Sequence, residues 1–264
     1  ANGSATIAGG EIRGGLGGVR VGPGSTFTAT DTLIRSSLGI GIDSAGGNLT
    51  LTGCDVRNHI TDGVRHSAGG GSLVVDGGTQ IRDNFGYGLR IMGETALTVD
   101  TAFFAGNGLR ALAWTDMAID TTPDTVVAAS FAHSGDWTVF IEDGSFVERV
   151  DFIDPIFAGQ TGTLGFLFMG DGGTGDGAAG GGVRFAGSGT GMDRLDLSAP
   201  IDNGAQRFAR ILAGDLTFTK CTADGVSSGF NYFIDSIDSG PLGDDVTIFH
   251  DRCQWLNGAG GYLC

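Results

Sequence analysis

Arginines recur in this chain at nearly constant intervals, in two rows. One row follows a Gly-apolar step and holds Arg20, Arg65, Arg90, Arg110 and, further on, Arg184, with Gly41 interrupting it. The other closes the segment before that step and holds Arg35, Arg57 and Arg82, with Ala105 in the next place. In both rows the arginine stands between apolar residues that alternate to the opposite side, so it points outward. A guanidinium is a planar fork of donors that fits carboxylate and sulfate groups. A column of such forks is a docking surface for an anionic polymer, such as an acidic polysaccharide. Cations ~5 Å apart repel by roughly 1 kcal/mol in water, so the column needs carboxylates beside it. Asp43, Asp55, Asp62 and Asp83 are close enough in the repeat to supply them. The same residues therefore have a second reading, a neutralised surface ladder of Arg and Asp.

The densest group of proton-moving side chains is the stretch from Asn58 to His66, which also holds His59, Asp62 and Arg65. Asp62, His66 and Asp83 are the catalytic candidates. A lyase needs a base near the α-carbon of a uronate and a cation for the enolate. A hydrolase needs two carboxylates at a set separation. An Asp before Gly is also an ordinary turn former. Asn58, Asn84 and Asn107 fall in successive turns, where stacked amides bond to one another along a ladder.

No cofactor is expected. Gly172 to Gly177 is similar to a calcium-binding nonapeptide, but its Asp comes one residue early and the motif is single, so a structural or catalytic calcium ion has no motif behind it. Cys54, Cys221, Cys253 and Cys264 match no zinc spacing, and they read as free core thiols. Asn48-Leu-Thr50 is a formal glycosylation sequon. No phosphate loop, dinucleotide fingerprint, nucleophile elbow or zinc-protease motif is present.

The elements that position these side chains follow from a repeat. Segments beginning at Phe27, Leu49, Leu73 and Leu97 start 22, 24 and 24 residues apart. Second strands beginning at Gly18, Gly39, Gly63, Gly88 and Gly108 start 21, 24, 25 and 20 apart. Within each segment alternate residues are apolar, as in Leu49/Leu51, Leu73/Val75 and Leu97/Val99. A period of 20–25 residues built from two or three short alternating strands predicts an all-β, right-handed parallel β-helix solenoid. The whole chain, 1–264, is expected to be one such domain, with regular coils over 1–120 and less regular coils over 121–264. Strands are predicted over Trp137–Ile141, Gly165–Met169, Gly182–Phe185, Leu216–Thr219 and Val246–Phe249, among others, with an exposed Gly-rich loop over 170–182.

Composition agrees. There are 50 Gly but only 5 Pro among 264 residues, and no collagen period, which suits many short strands and tight turns. A net charge of −15 argues against nucleic acid as a partner. No window approaches the ~18 apolar residues of a membrane span, so insertion in a membrane is not expected. The chain opens at Ala1 and closes on Gly260-Gly-Tyr-Leu-Cys264, both in strand-like sequence, which reads as a stretch of a longer polypeptide.

The coils from Gly18 to Asp120, with their Leu-x-Val/Leu rhythm, Arg-Asn turns and Gly-apolar-Arg steps, resemble the right-handed β-helix superfamily. It includes pectate-lyase-like lyases, polygalacturonase-like hydrolases and bacteriophage tailspikes. Asn58 to Gly63 is similar to the Asn-Thr-Asp-Gly stretch of polygalacturonases, but the paired aspartates and the Gly-His-Gly and Arg-Ile-Lys motifs of that family are missing. The Asp-rich calcium site and Arg-x-Pro-x-x-Arg stretch of pectate lyases are missing too. The resemblance implies a structural, glycan-recognising segment of a virion appendage, outside the cell or on the virion surface. It further implies host surface polysaccharide as a partner and a homotrimer or larger assembly that covers the uncapped ends. The alternative is a secreted polysaccharide lyase or glycoside hydrolase.

Overall fold

The computed structural model describes residues 2–67, 70–93, 95–115, 123–142, 149–158, 164–170, 182–189, 194–198, 207–224, 233–236 and 246–256. Among them there are strands and no helix. The strands join into sheets of 10, 7 and 9 strands, and a further sheet of 3. Each strand pairs in parallel with the strand one coil away, so the chain is a parallel β-solenoid.

One coil illustrates the whole. Asn48–Thr52 belongs to the first sheet, Asp55–Arg57 to the second and Val64–Ser67 to the third. Phe27, Leu49, Leu73 and Leu97 are direct partners in the first sheet, as the repeat predicts. Alternation sends Leu49 and Leu51 inward, where both are fully buried. Corners are turned by left-handed residues: Ser36, Asn58 and Asp83 all have φ between 54° and 61° after the second-sheet strand.

First-sheet strands begin 22, 22, 24, 24, 28, 26, 32, 32 and 32 residues apart along the chain. The core changes with the coil. The short coils are filled by Leu, Ile and Val, whereas the long ones hold Phe104, Phe131, Phe152, Phe166, Phe185, Phe208 and Phe218, all fully buried. These rings stack along the axis, for example Phe152 on Phe185 at 5.1 Å and Phe166 on Phe208 at 5.5 Å. Interiors are close-packed, so a wider coil needs larger side chains. Most of the predicted Gly-rich loop, 171–181, lies outside the described residues.

One part of the predicted register is corrected. Two of the turns before the third sheet carry glycines two residues apart, Gly39-Ile-Gly41 and Gly86-Tyr-Gly88. The third-sheet strand starts after the second of them, at Ile42 and at Leu89. Its stacked positions are Gly41, Gly63, Gly88 and Ala111, linked by bonds of 2.9 Å from the following N–H to the next coil's carbonyl. Gly39 and Gly108 therefore do not begin strands.

Candidate ligand groove

That shift rebuilds the first arginine row. Arg20 pairs in register with Asp43, Asp43 with Arg65, and Arg65 with Arg90. Asp43, not Gly41, is the member of the row at that coil. Arg90 is followed by Ala113, so Arg110 is not in the row. Arg110 instead binds Asp136 at 2.8 Å and lies over the Phe140 ring at 4.3 Å. Arg184 sits on the first sheet, where it makes two bonds to Asp151 at 3.0 and 2.7 Å.

Beside this charged row runs a second row that the sequence reading missed. Leu16, Leu38, Ile60, Phe85 and Leu109 occupy the turn between the second and third sheets, one per coil. Backbone bonds place Leu38 over Leu16, Ile60 over Leu38 and Phe85 over Ile60, and Leu109 N–H bonds to Gly86 O at 3.0 Å one coil further on. All five side chains are exposed, Leu16 by 86% and Phe85 by 78%. Scattered exposed apolar residues are ordinary, but a contiguous row of them is not. Their intervals of 22, 22, 25 and 24 were the available signal.

The two rows flank a groove of about 850 Å³. Leu16, Ile60, Phe85 and Leu109 line one side, and Arg20, Asp43, Arg65 and Arg90 line the other. Asp62 also lines it, although it is almost fully buried. Its Oδ1 accepts the Tyr87 N–H at 3.1 Å. Burial pushes the Asp62 carboxyl above the ordinary Asp range, with Asp43 adding to the effect; the Tyr87 bond and the Arg90 and Arg65 charges oppose it. Arg65 Nε donates to Asp43 at 3.0 Å, while Arg90 Nε donates to Thr115 Oγ1 at 2.7 Å and its guanidinium lies 5.1 Å from the Tyr87 ring.

The second arginine row keeps its predicted register: Arg35, Arg57 and Arg82 are direct partners, and Arg13 precedes them. It lies on the second sheet, outside the groove. It is threaded with carboxylates, Glu11 on Arg35 at 2.8 Å, Asp55 on Arg57 at 3.2 Å and on Arg82 at 3.0 Å, and Asp83 on Arg82 at 2.9 Å. Asp83 is an exposed left-handed turn residue bonded to Arg82, and it does not line the groove.

His66 does not join Asp62. It shares a strand with Arg65, and alternation turns it inward, between Ser44 and Ile91 in register. It is fully buried, and neither ring nitrogen has a hydrogen-bond partner. Burial pushes its pKa down to about 4, so the ring is neutral at pH 7.

The side-chain ladder joins Asn84 and Asn107 as expected, but at the coil before them it is displaced by one residue. Asn58 is exposed at its left-handed corner, and His59 takes the inward place. Asn107 Oδ1 accepts from Asn84 Nδ2 at 3.0 Å, Asn84 Oδ1 accepts the His59 N–H at 3.2 Å, and His59 Nδ1 accepts the Ser37 N–H at 3.2 Å. That leaves Nε2 as the donor to Ile34 O, the role that Asn84 Nδ2 plays toward Val56 O. The ladder explains the glycine beside it: a Cβ on Gly63 would lie 2.5 Å from Asn84 Nδ2. The ladder ties together the turns that carry Leu38, Ile60 and Phe85, since it takes the N–H of the residue before each of them.

Among the described residues, no group of three or more His, Cys, Asp or Glu side chains is placed to hold a metal ion. No protein-family model, curated protein or solved structure matches this chain.

Proposed function

We propose that the groove recognises an extended acidic polysaccharide lying along the solenoid axis. The observation that carries this reading is the pairing of two parallel rows, Arg20, Arg65 and Arg90 on one side and Leu16, Ile60 and Phe85 on the other. A sugar ring offers apolar C–H faces and a polar rim, and a uronate or sulfated sugar adds an anion. Apolar side chains take the faces, and guanidinium forks take the anions. Rows that repeat every ~4.8 Å suit a polymer better than a single small molecule. The resemblance to tailspike coils supports a setting on a virion appendage or another extracellular surface, with a homotrimer as the assembly. Sizing the protein in solution tests the assembly, and a strict monomer would contradict it.

Asp62 favours a second reading, a lyase or glycoside hydrolase. A carboxyl raised by burial on a groove wall is suited to protonate a leaving oxygen, and ion-paired Asp43 supplies a second carboxylate. The experiment is incubation with a panel of acidic and neutral polysaccharides, following unsaturated products and new reducing ends. Binding without cleavage is expected for recognition. Cleavage that is lost in Asp62→Asn would establish the enzyme instead.

A further inference from the structure

Cys221 opens the strand Cys221–Asp224, and Cys253 directly precedes the strand Gln254–Leu256. Thr222 pairs with Gln254, which stacks Cys221 and Cys253 one coil apart. The residues before them match as well: Lys220 and Arg252 are both left-handed, with φ of 53° and 54°. The interval from Cys221 to Cys253 is one coil, the same as that between the first-sheet strands at Gly214 and Val246. Both thiols turn the same way, Cys221 Sγ toward Thr219 O at 3.4 Å and Cys253 Sγ toward Asp251 O at 3.4 Å. Each also points back to the carbonyl one coil earlier, Cys221 Sγ to Phe185 O at 3.6 Å and Cys253 Sγ to Phe218 O at 3.3 Å. Parallel strands are ~4.8 Å apart, inside the Cα separation that a disulfide spans. Cys54 has no such partner: Thr32 and Thr79 hold its place in the adjacent coils.

We propose that Cys221 and Cys253 are a modification site, joined as a disulfide by exchange with a small-molecule disulfide oxidant. Cys253 is partly exposed, whereas Cys221 is buried. The Cys221 thiol is pushed up to about 12, first by burial and then by Cys253. Exchange therefore begins at Cys253. Its thiolate attacks one sulfur of the oxidant, forms a mixed disulfide and releases one thiolate. Cys221 then loses its proton and attacks the Cys253 sulfur, forming the internal bond and releasing the second thiolate. Two protein thiols are oxidised and one disulfide is reduced to two thiols. The bond staples two neighbouring coils, independently of any ligand in the groove.

The test uses oxidised glutathione on the whole chain, followed by alkylation and cleavage after basic residues. Lys220 and Arg252 immediately precede the two cysteines, so cleavage puts them on separate peptides. A linked pair is expected, with fragmentation assigning the bond to Cys221 and Cys253 rather than Cys264, and with Cys54 still free. The melting midpoint of the wild type is expected to rise on oxidation, and that of Cys253→Ser to stay where it is. A glutathione adduct that stops at Cys253, a bond to Cys264 or Cys54, or an equal rise in Cys253→Ser would overturn the proposal.

Discussion

Arg65 donates from Nε to Asp43 Oδ1 at 3.0 Å, across one coil of the third sheet. Both side chains are partly exposed, so the pair itself contributes only about 0.2–1 kcal/mol to stability. Its larger effect is on the groove, where Asp43 competes with an incoming anion for the Arg65 fork. Asp43→Asn is expected to tighten binding of a polyuronate several-fold and to steepen its salt dependence, with stability nearly unchanged. Titration calorimetry at two salt concentrations checks this; weaker binding would contradict it.

Phe85 is exposed and contributes little to the core. Phe85→Ala is expected to change stability by no more than about 0.5 kcal/mol. Binding should weaken by about fivefold through loss of an apolar contact with the sugar face. Thermal melts and the same titration separate the two effects. Full retention of affinity would remove the apolar row from the site.

The amide ladder should behave as one unit. Asn84→Ala leaves the buried His59 N–H without its acceptor and removes one of the two donors to Asn107 Oδ1, the Asn84 backbone N–H remaining, at a cost of about 2 kcal/mol. Gly63→Ala drives a Cβ to 2.5 Å from Asn84 Nδ2 and 2.9 Å from Gly88 O. With Asn84 shortened, the first clash disappears and the second remains. The double variant is therefore expected to cost less than the two single changes together. Denaturant unfolding of all four proteins measures the coupling, and strict additivity would count against the ladder.

His66 makes the solenoid acid-sensitive. Its folded pKa of about 4 lies below the unfolded value of 6.5. Between those values the unfolded chain binds the extra proton, so stability falls as pH falls. The contribution is fully present above pH 6.5 and is lost toward pH 4, roughly 3 kcal/mol in all. His66→Leu should flatten that slope. Melting at neutral pH and near pH 4.5 compares the two proteins; identical slopes would show that carboxylates alone set acid stability.

The solenoid was legible because Leu49, Leu73 and Leu97 repeat at one interval and alternate with outward residues. The register near the groove was less so. Gly39 and Gly41 are two residues apart, and a slip of two keeps every side chain on its own face, so alternation does not reject it. That slip hid Asp43; Arg110 entered the row by a slip of three, because Ala111 rather than Gly108 holds the place of Gly88. Asn58 and His59 were exchanged for a different reason. Asn suits both a ladder and a left-handed corner, and only the fold shows that the corner took Asn58 while an imidazole filled the amide's place. The row from Leu16 to Leu109 sits in turns, where apolar residues carry no strand pattern. Cys221 and Cys253 could be matched only once the later coils were seen to lengthen to 32 residues.

The most direct measurement is titration of a polyuronate into the wild type and into the Arg65→Ala/Arg90→Ala double variant, at low and moderate salt. If the groove docks an acidic polysaccharide, the double variant binds at least about tenfold more weakly, and its affinity depends less on salt. Equal affinity and equal salt dependence would contradict it, leaving the arginine row a surface ladder.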